Sequence, residues 1–225
     1  YYTMGLNKWQ IAETWPPAGA QPVTFFLSSA GKANTLNGDG TLVVAAPDAD
    51  KPDAFTYDPL NPVLSYGGNV CCTGTAVQAG AFDQRRMEAR DDILVYTSDK
   101  LDEPVEAIGP VSVSVAIRSS SGDFDLFARV CDVAPNGRSE NVCDGLTRVT
   151  GVPESPDGTR TVELALWPTA YRWRAGHRIR LQIAGGAHPR YARNLGGGDA
   201  LGTATRLVPV DHEVVAGVLR LVEPD

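Results

Sequence analysis

Lysine is nearly missing from this chain. Of its 20 basic residues only four are lysines, at Lys8, Lys32, Lys51 and Lys100, and the net charge is -7. No run of like charges exceeds a few residues, so there is no basic footprint for a phosphate backbone or an anionic bilayer. Neither nucleic acid nor membrane is expected as a partner. Also absent is any apolar stretch approaching the ~20 residues that cross a bilayer. The opening shows no basic region followed by an apolar run, so no signal peptide is expected. Tyr1-Tyr2-Thr3-Met4 runs straight toward a strand-like segment with no initiator Met, which predicts a fragment of a longer chain.

Cysteine is scarce as well, with Cys71, Cys72, Cys131 and Cys143 only. Four is too few for a disulfide scaffold at 225 residues, and the spacing lacks the two close pairs of a structural zinc site. Helical periodicity is missing too. No window of eleven or more residues carries a 3.6-residue apolar stripe, so any helix is short, and residues 84–90 are the best candidate. The absence with the largest chemical consequence is the nucleophile elbow of a serine hydrolase, Gly-x-Ser-x-Gly. The nearest approach, Leu27-Ser28-Ser29-Ala30-Gly31, lacks the first glycine and ends a strand-like run. A catalytic triad within this chain is not expected.

What is present is period-two alternation. Val111, Val113, Val115 and Ile117 alternate with Ser112, Ser114, Ala116 and Arg118. Val162, Leu164 and Leu166 do the same, as do Ile179, Leu181 and Ile183. Each reads as a strand with one face on a core and one in water. Further strands are expected at 23–29, 42–46, 93–97, 124–133, 142–149 and 214–222. Turn residues separate them, as at Pro135-Asn136-Gly137 and Pro156-Asp157-Gly158. Nine or so short strands without a helical layer predict an all-β fold, a jelly-roll β-sandwich of two antiparallel sheets. One such domain absorbs residues 1–225, with an arm at 1–20 and a long irregular segment at 47–82. So long an irregular stretch is usually functional or wrapped against a partner.

Few side chains carry reactive chemistry. His177 follows Gly176 at a strand start and reads as a turn residue. His212, between Asp211 and Glu213, reads as part of a solvated polar cluster. His188, before Pro189 in a loop, is the one histidine with functional appeal. Asp123 and Asp125 precede a strand as Asp-x-Asp; they are weak candidates for a cation site, and turn capping is the favoured reading. The glycines at 196–198 are followed by neither Lys-Ser/Thr nor a helix, so they form no phosphate cradle. No cofactor is expected. Trp167 and Trp173 flank Pro168 in an expected strand-to-strand loop.

Cys131 and Cys143 flank the Pro135-Asn136-Gly137 turn. A three-residue loop over 136–138 sets them directly opposite, at bridging distance, whereas a two-residue Asn-Gly turn sends them to opposite faces. The first arrangement predicts a cross-strand disulfide and with it an exported protein. The competing reading is two small buried hydrophobes in a reducing cytosol. The adjacent pair Cys71-Cys72 reads as a buried thiol pair, with pairing to each other or to the other two left open.

A set of segments, in order, carries a family resemblance. It begins with Met4-Gly5-x-Asn7-x-Trp9, Trp15-Pro16-Pro17 and Phe26-Leu27-Ser28-Ser29. Then come Phe55-x-Tyr57-Asp58-Pro59-x-x-Pro62-Val63, Gly67-Gly68 and Asp83-Gln84-Arg85. Arg90-x-Asp92-Ile93-Leu94-Val95-Tyr96-Thr97-Ser98 follows, then Glu103-Pro104-Val105-Glu106. The last are Asp132-Val133-x-Pro135-x-Gly137-Arg138, Asp144-Gly145-x-x-Arg148, Gly176-His177-Arg178-Ile179-Arg180-Leu181 and Pro189-Arg190-Tyr191-x-Arg193-Asn194. Together they resemble the C-terminal domain of the cocaine esterase / X-prolyl dipeptidyl peptidase superfamily of serine hydrolases, which includes α-amino-acid ester hydrolases and glutaryl acylases.

The resemblance implies a galactose-binding-like jelly roll that is non-catalytic by itself. It implies a parent with an α/β-hydrolase domain and a helical cap, acting on small esters or amides, whose substrate cleft this domain helps to wall. The chain departs from the family at Gly185-Gly186-Ala187-His188-Pro189, at Ala192, and at Asp211-His212-Glu213. Cleft candidates are Tyr66, Cys71, Cys72 and Phe82 in the 66–82 loop, together with His188. A face left by the parent is expected to be exposed and apolar in the arm, at Tyr1, Tyr2, Met4, Trp9 and Trp15, and in the 66–82 loop. The alternative reading is a carbohydrate-binding β-sandwich module, which requires exposed aromatics.

Overall fold

The computed structural model describes residues 1–48, 51–71, 74, 76–200 and 202–224. Its strands in chain order are β1 (Tyr2–Thr3), β2 (Lys8–Trp9), β3 (Gln21–Ser28), β4 (Thr41–Val43), β5 (Asp53–Tyr57), β6 (Ile93–Ser98), β7 (Val105–Ser119), β8 (Phe124–Val133), β9 (Ser139–Val149), β10 (Arg160–Trp173), β11 (Arg178–Ala184) and β12 (Val210–Glu223). One helix, α1 (Arg85–Glu88), is a single turn within the expected 84–90. All nine expected strands form. The short pair β1–β2 and the strand β5, inside the stretch expected to be irregular, are additional.

The ladder order is β10-β7-β12-β3-β4-β6-β11-β8-β9, with β5 on the far end of β12. Every pairing is antiparallel except β4 with β6. The first four strands and the last five face each other as the two leaves of an all-β jelly-roll sandwich. The alternating positions read from the sequence fill the space between them. Val111, Val113, Val115 and Ile117 of β7 and Val162, Leu164 and Leu166 of β10 meet Leu126, Ala128 and Val130 of β8 and Ile179, Leu181 and Ile183 of β11. Burying such side chains stabilises the fold by roughly 1.5–3 kcal/mol each.

At the open side of the sandwich β9 comes against β10. Gly145 makes this possible: a Cβ there would stand 2.5 Å from the Ala165 carbonyl oxygen. The Thr147 hydroxyl donates to the Glu163 carbonyl across the same junction. At the far end of β12 sits His212, whose ring lies 4.9 Å from Phe55 and 5.1 Å from Phe124, centroid to centroid. It is 1 % exposed. This corrects the expected solvated cluster: the alternation of β12 turns Asp211 and Glu213 outward and His212 into the core.

Trp167 and Trp173 belong to one strand, β10, and not to a loop. A register shift between Leu166 and Thr169 absorbs Pro168, leaving Trp167 at the surface and Trp173 fully buried.

The β8–β9 hairpin corrects another expectation. Its loop closes at Ala134 and Arg138, whose backbone groups hydrogen-bond, with Gly137 at φ +83°. The register then sets Cys131 opposite Asn141, and a bulge at Val142 brings Cys143 opposite Val130. The two cysteines lie on opposite faces of the sheet as unbridged thiols, so the expected cross-strand disulfide does not form. Cys143 packs in the inter-sheet core, whereas the Cys131 sulfur accepts from Gln182 on the other side. Burial raises both thiol pKa values well above the usual range.

Candidate functional site

The outer face of β6, β11, β8 and β9 carries Phe127, Arg129, Cys131, Arg180 and Gln182, alternating with core positions. On an ordinary two-layer sandwich this face meets water. Here every residue of β8 is buried. The covering layer is built from residues 58–66 and 82–92 and from the 185–195 loop. Val63, Met87 and Ala187 pack on Phe127, Ile93, Val95 and Ala184 as a second, smaller core.

Because the sheet residues beneath this layer are polar, each must find a partner there, since an unpaired buried charge is costly. Glu88, at the end of α1 and fully buried, accepts from the Ser139 hydroxyl at 2.6 Å, Arg180 at 2.6 Å and Gln182 at 2.8 Å. Arg129 is paired with Asp144 at 3.2 Å, and Asp144 also takes Arg190 at 2.6 Å. Gln84 lies between these groups. Its Oε1 accepts from Arg129, and its Nε2 is within hydrogen-bond reach of the Tyr66 carbonyl (2.8 Å), the Asn141 Oδ1 (2.9 Å) and the Phe82 carbonyl (3.1 Å). Farther along β8, Asp125 holds Arg148 through two bonds of 2.7 Å and accepts from Asn194. Burial, with the Asp125 charge second, pushes the nearby Tyr57 hydroxyl up to about 12.

From this layer the chain rises at Tyr66 and returns at Phe82. The neck between them is closed by Gly68 and Gly80, which exchange both backbone hydrogen bonds at 2.8 and 2.9 Å. Both glycines have φ +112°, and a Cβ on Gly68 would stand 2.6 Å from the Arg190 guanidinium. Two clefts flank the neck. One of about 530 Å³ is lined by Leu64, Tyr66, Asp83, Arg85, Arg86 and Met87. The other, of about 390 Å³, runs between Asn69, Ala79 and Ala81 on one side and Val142, Trp167 and Met4 on the other.

Of the residues singled out in the sequence, Tyr66 and Phe82 come together, their ring centroids 4.8 Å apart at 51°. Cys71 is exposed beyond the neck. Cys72 lies outside the described residues. His188 is hydrogen-bonded along its backbone to Val63 and Ser65 but lines neither cleft, and its Nδ1 is buried without a partner among the described residues.

His177 does more than turn the chain. Its Nδ1 is 2.8 Å from Asp132, whose other oxygen accepts from the Tyr171 hydroxyl, also at 2.8 Å. No described histidine ring is hydrogen-bonded to a serine hydroxyl or a cysteine thiol, the contact that activates a nucleophile. Asp125 is occupied by Arg148, and the described residues contain no group of three or more His, Cys, Asp or Glu side chains placed to hold a metal.

Sequence reasoning missed the buried polar layer. Arg180 and Gln182 alternate with Ile179, Leu181 and Ile183 as solvent-facing residues do, and nothing within a single strand reports what covers it. The one available signal was the long non-alternating segment 47–82, which has to lie on something.

Outward of this site, large apolar side chains remain uncovered. Trp9 is 79 % exposed and Ile11 fully so, and Tyr2, Met4, Trp15 and Trp167 are also exposed. Trp9 meets Tyr2, and Trp15 meets Tyr1, in edge-to-face pairs.

Comparison with known proteins agrees with this architecture. The family model described as the X-Pro dipeptidyl-peptidase C-terminal non-catalytic domain matches residues 1–211. The cocaine esterase of Rhodococcus sp. (strain MB1 Bresler) is 34% identical over 200 residues, covering 86% of this chain and 34% of the esterase. An aminopeptidase from a marine sediment archaeon, Thaumarchaeota archaeon, superposes over 100% of this chain and 40% of its own, with a TM-score of 0.83 at 20% identity. An α-amino acid ester hydrolase covers 99% of this chain and 40% of its own, with a TM-score of 0.82 at 19% identity. The chain thus spans about a third of the length of the esterase it matches and about two fifths of the two structures.

Proposed function

Because the chain belongs to the family of X-Pro dipeptidyl-peptidase C-terminal non-catalytic domains, we propose that it braces an α/β-hydrolase and its helical cap within one polypeptide and helps to wall their substrate cleft. In this reading the parent is a Ser-His-Asp hydrolase of small esters or amides, and this chain supplies none of the triad. The observation that carries the reading is the uncovered apolar surface. Trp9 and Ile11 are almost wholly exposed and Trp15 and Trp167 about half so, and large apolar side chains left in water on this scale favour a protein partner. The neck and the Tyr66–Phe82 pair, flanked by two clefts, are the part of the chain best shaped to reach a substrate. Cys71, exposed beyond the neck, and Cys72 stand with them as cleft candidates, whereas His188, which lines neither cleft, does not.

The test is direct. The 225-residue chain alone should not hydrolyse activated esters such as nitrophenyl acetates. Joined to the catalytic region encoded with it, it should give turnover that a serine-reactive phosphonate abolishes. Phosphonate-sensitive turnover by the chain alone would overturn the reading. A carbohydrate-binding module is the competing use of exposed tryptophans, but Trp9 and Trp15 are each engaged by a tyrosine ring edge. Specific retention on a glycan array would restore that alternative.

A further inference from the structure

We propose that Gln84 is a positioning residue that sets the placement of the Tyr66–Phe82 ring pair, and through it the shape of the cleft wall. The inference rests on the cleft-wall reading above for its functional meaning, but its structural half stands by itself.

Gln84 is fully buried at the foot of α1, where it caps nothing: its side chain makes no hydrogen bond to the helix's own N–H groups. Its orientation is fixed at both ends by the chemistry of its partners. A guanidinium can only donate, so Oε1 must face Arg129. Backbone carbonyls can only accept, so Nε2 must face Tyr66 and Phe82. The Asn141 side chain completes the arrangement, its Oδ1 accepting from both the Phe82 N–H (2.8 Å) and Gln84, and its Nδ2 donating to the Gly80 carbonyl. One buried amide therefore ties the backbone on both sides of the neck to the Arg129–Asp144 pair. The ring carried by Tyr66 and the ring carried by Phe82 meet because that amide holds their backbones at a set separation. The Gly68–Gly80 hydrogen bonds close the neck two residues farther on, and among the described contacts Gln84 is the side chain bonded to the Tyr66 and Phe82 carbonyls themselves.

Gln84→Glu is the informative substitution. It is isosteric and keeps an acceptor toward Arg129, but it replaces the donor to the two carbonyls with a second acceptor. By NMR on the whole chain, the Phe82 ring resonances should move toward those seen in a Tyr66→Ala variant. The Phe82 amide donates to the same Asn141 Oδ1 that accepts from Gln84. A glutamate oxygen set against that acceptor should displace Asn141 and let the amide exchange with solvent roughly tenfold faster, the scale of losing a buried hydrogen bond. Methyl resonances of the inter-sheet core, such as those of Leu126 and Val113, should stay in place. Unchanged Phe82 resonances would overturn the proposal, and so would core methyls that move along with them, since the effect would then be global.

Gln84→Met, neutral and of similar length, is the second variant should the glutamate not fold, with the same outcome expected. A chain that unfolds with both substitutions also counts against the proposal, because Gln84 would then hold the fold and not the rings. In the protein that joins this chain to its catalytic region, Gln84→Glu should raise KM severalfold with kcat within about twofold. If the NMR change occurs and KM does not move, positioning stands and the cleft-wall reading fails.

Discussion

At the scale of single residues, His212 is the group most at odds with its sequence context. Both ring nitrogens are buried without a partner among the described residues, between two phenylalanine rings. Burial lowers its pKa from 6.5 to about 4, only partly offset by Asp211. The folded chain therefore keeps the imidazole neutral down to about pH 4, while an unfolded chain protonates it below about 6.5. As pH falls between those values the unfolded state binds more protons, so stability is lost progressively, by a total on the order of 3 kcal/mol. His212→Leu should remove this dependence. The stability of the variant relative to the parent sequence, measured by urea unfolding at several pH values, should rise steadily from pH 7 to pH 4. A difference that stays flat with pH would show that the imidazole does not titrate in this way.

At the scale of elements, the fit between β9 and β10 depends on an atom that is missing. Gly145→Ala would drive a methyl into the Ala165 carbonyl and within 3.1 Å of the Leu166 backbone, neither of which can rotate away. Overpacking of this kind costs about 1–3 kcal/mol, so the melting temperature should fall by several degrees while the far-ultraviolet spectrum stays all-β. An unchanged melting temperature would mean that the sheets can part at this junction.

Strands were the legible part of this molecule. β7, β10 and β11 announce themselves by alternation because one face of each contacts the inter-sheet core, and the same parity places their buried side chains correctly. The failures share a cause. Alternation reports that a face differs from its opposite, not what the face touches, so Arg180 and Gln182 looked solvent-facing when they lie beneath the layer that carries α1 and the 185–195 loop. Register is equally silent in the sequence wherever a bulge adds one residue, and Val142 alone decides that Cys131 and Cys143 face apart. Within the candidate site, Tyr66 and Phe82 were legible as aromatic residues in a long irregular segment. Gln84 was not, because a glutamine beside two arginines reads as surface.

At the scale of the whole molecule, two features set this chain apart from an independent globule with an ordinary apolar core. Charged side chains are buried and bonded beneath the layer that carries α1, while the N-terminal arm holds Trp9 and Ile11 out in solvent. The buried charges do not by themselves require a partner, since Glu88, Asp144, Arg129 and Arg180 satisfy one another. The exposed aromatics of the arm gain little from the fold that carries them, because among the described residues the ring contacts of Trp9 and Trp15 are edge-to-face pairs within the arm. A surface built this way contributes to association and hardly to folding. Replacing Trp9 and Ile11 together by serine should therefore leave the melting temperature within a few degrees, as surface substitutions usually shift stability by no more than about 0.5 kcal/mol each. The same change should lower binding of a hydrophobic dye and weaken capture by the catalytic region supplied as a separate chain. Loss of folding in the double variant would place these residues in the core of the domain's stability. Undiminished capture would move the docking face elsewhere, with the Leu64 and Tyr66 side of the neck the next exposed apolar surface to examine.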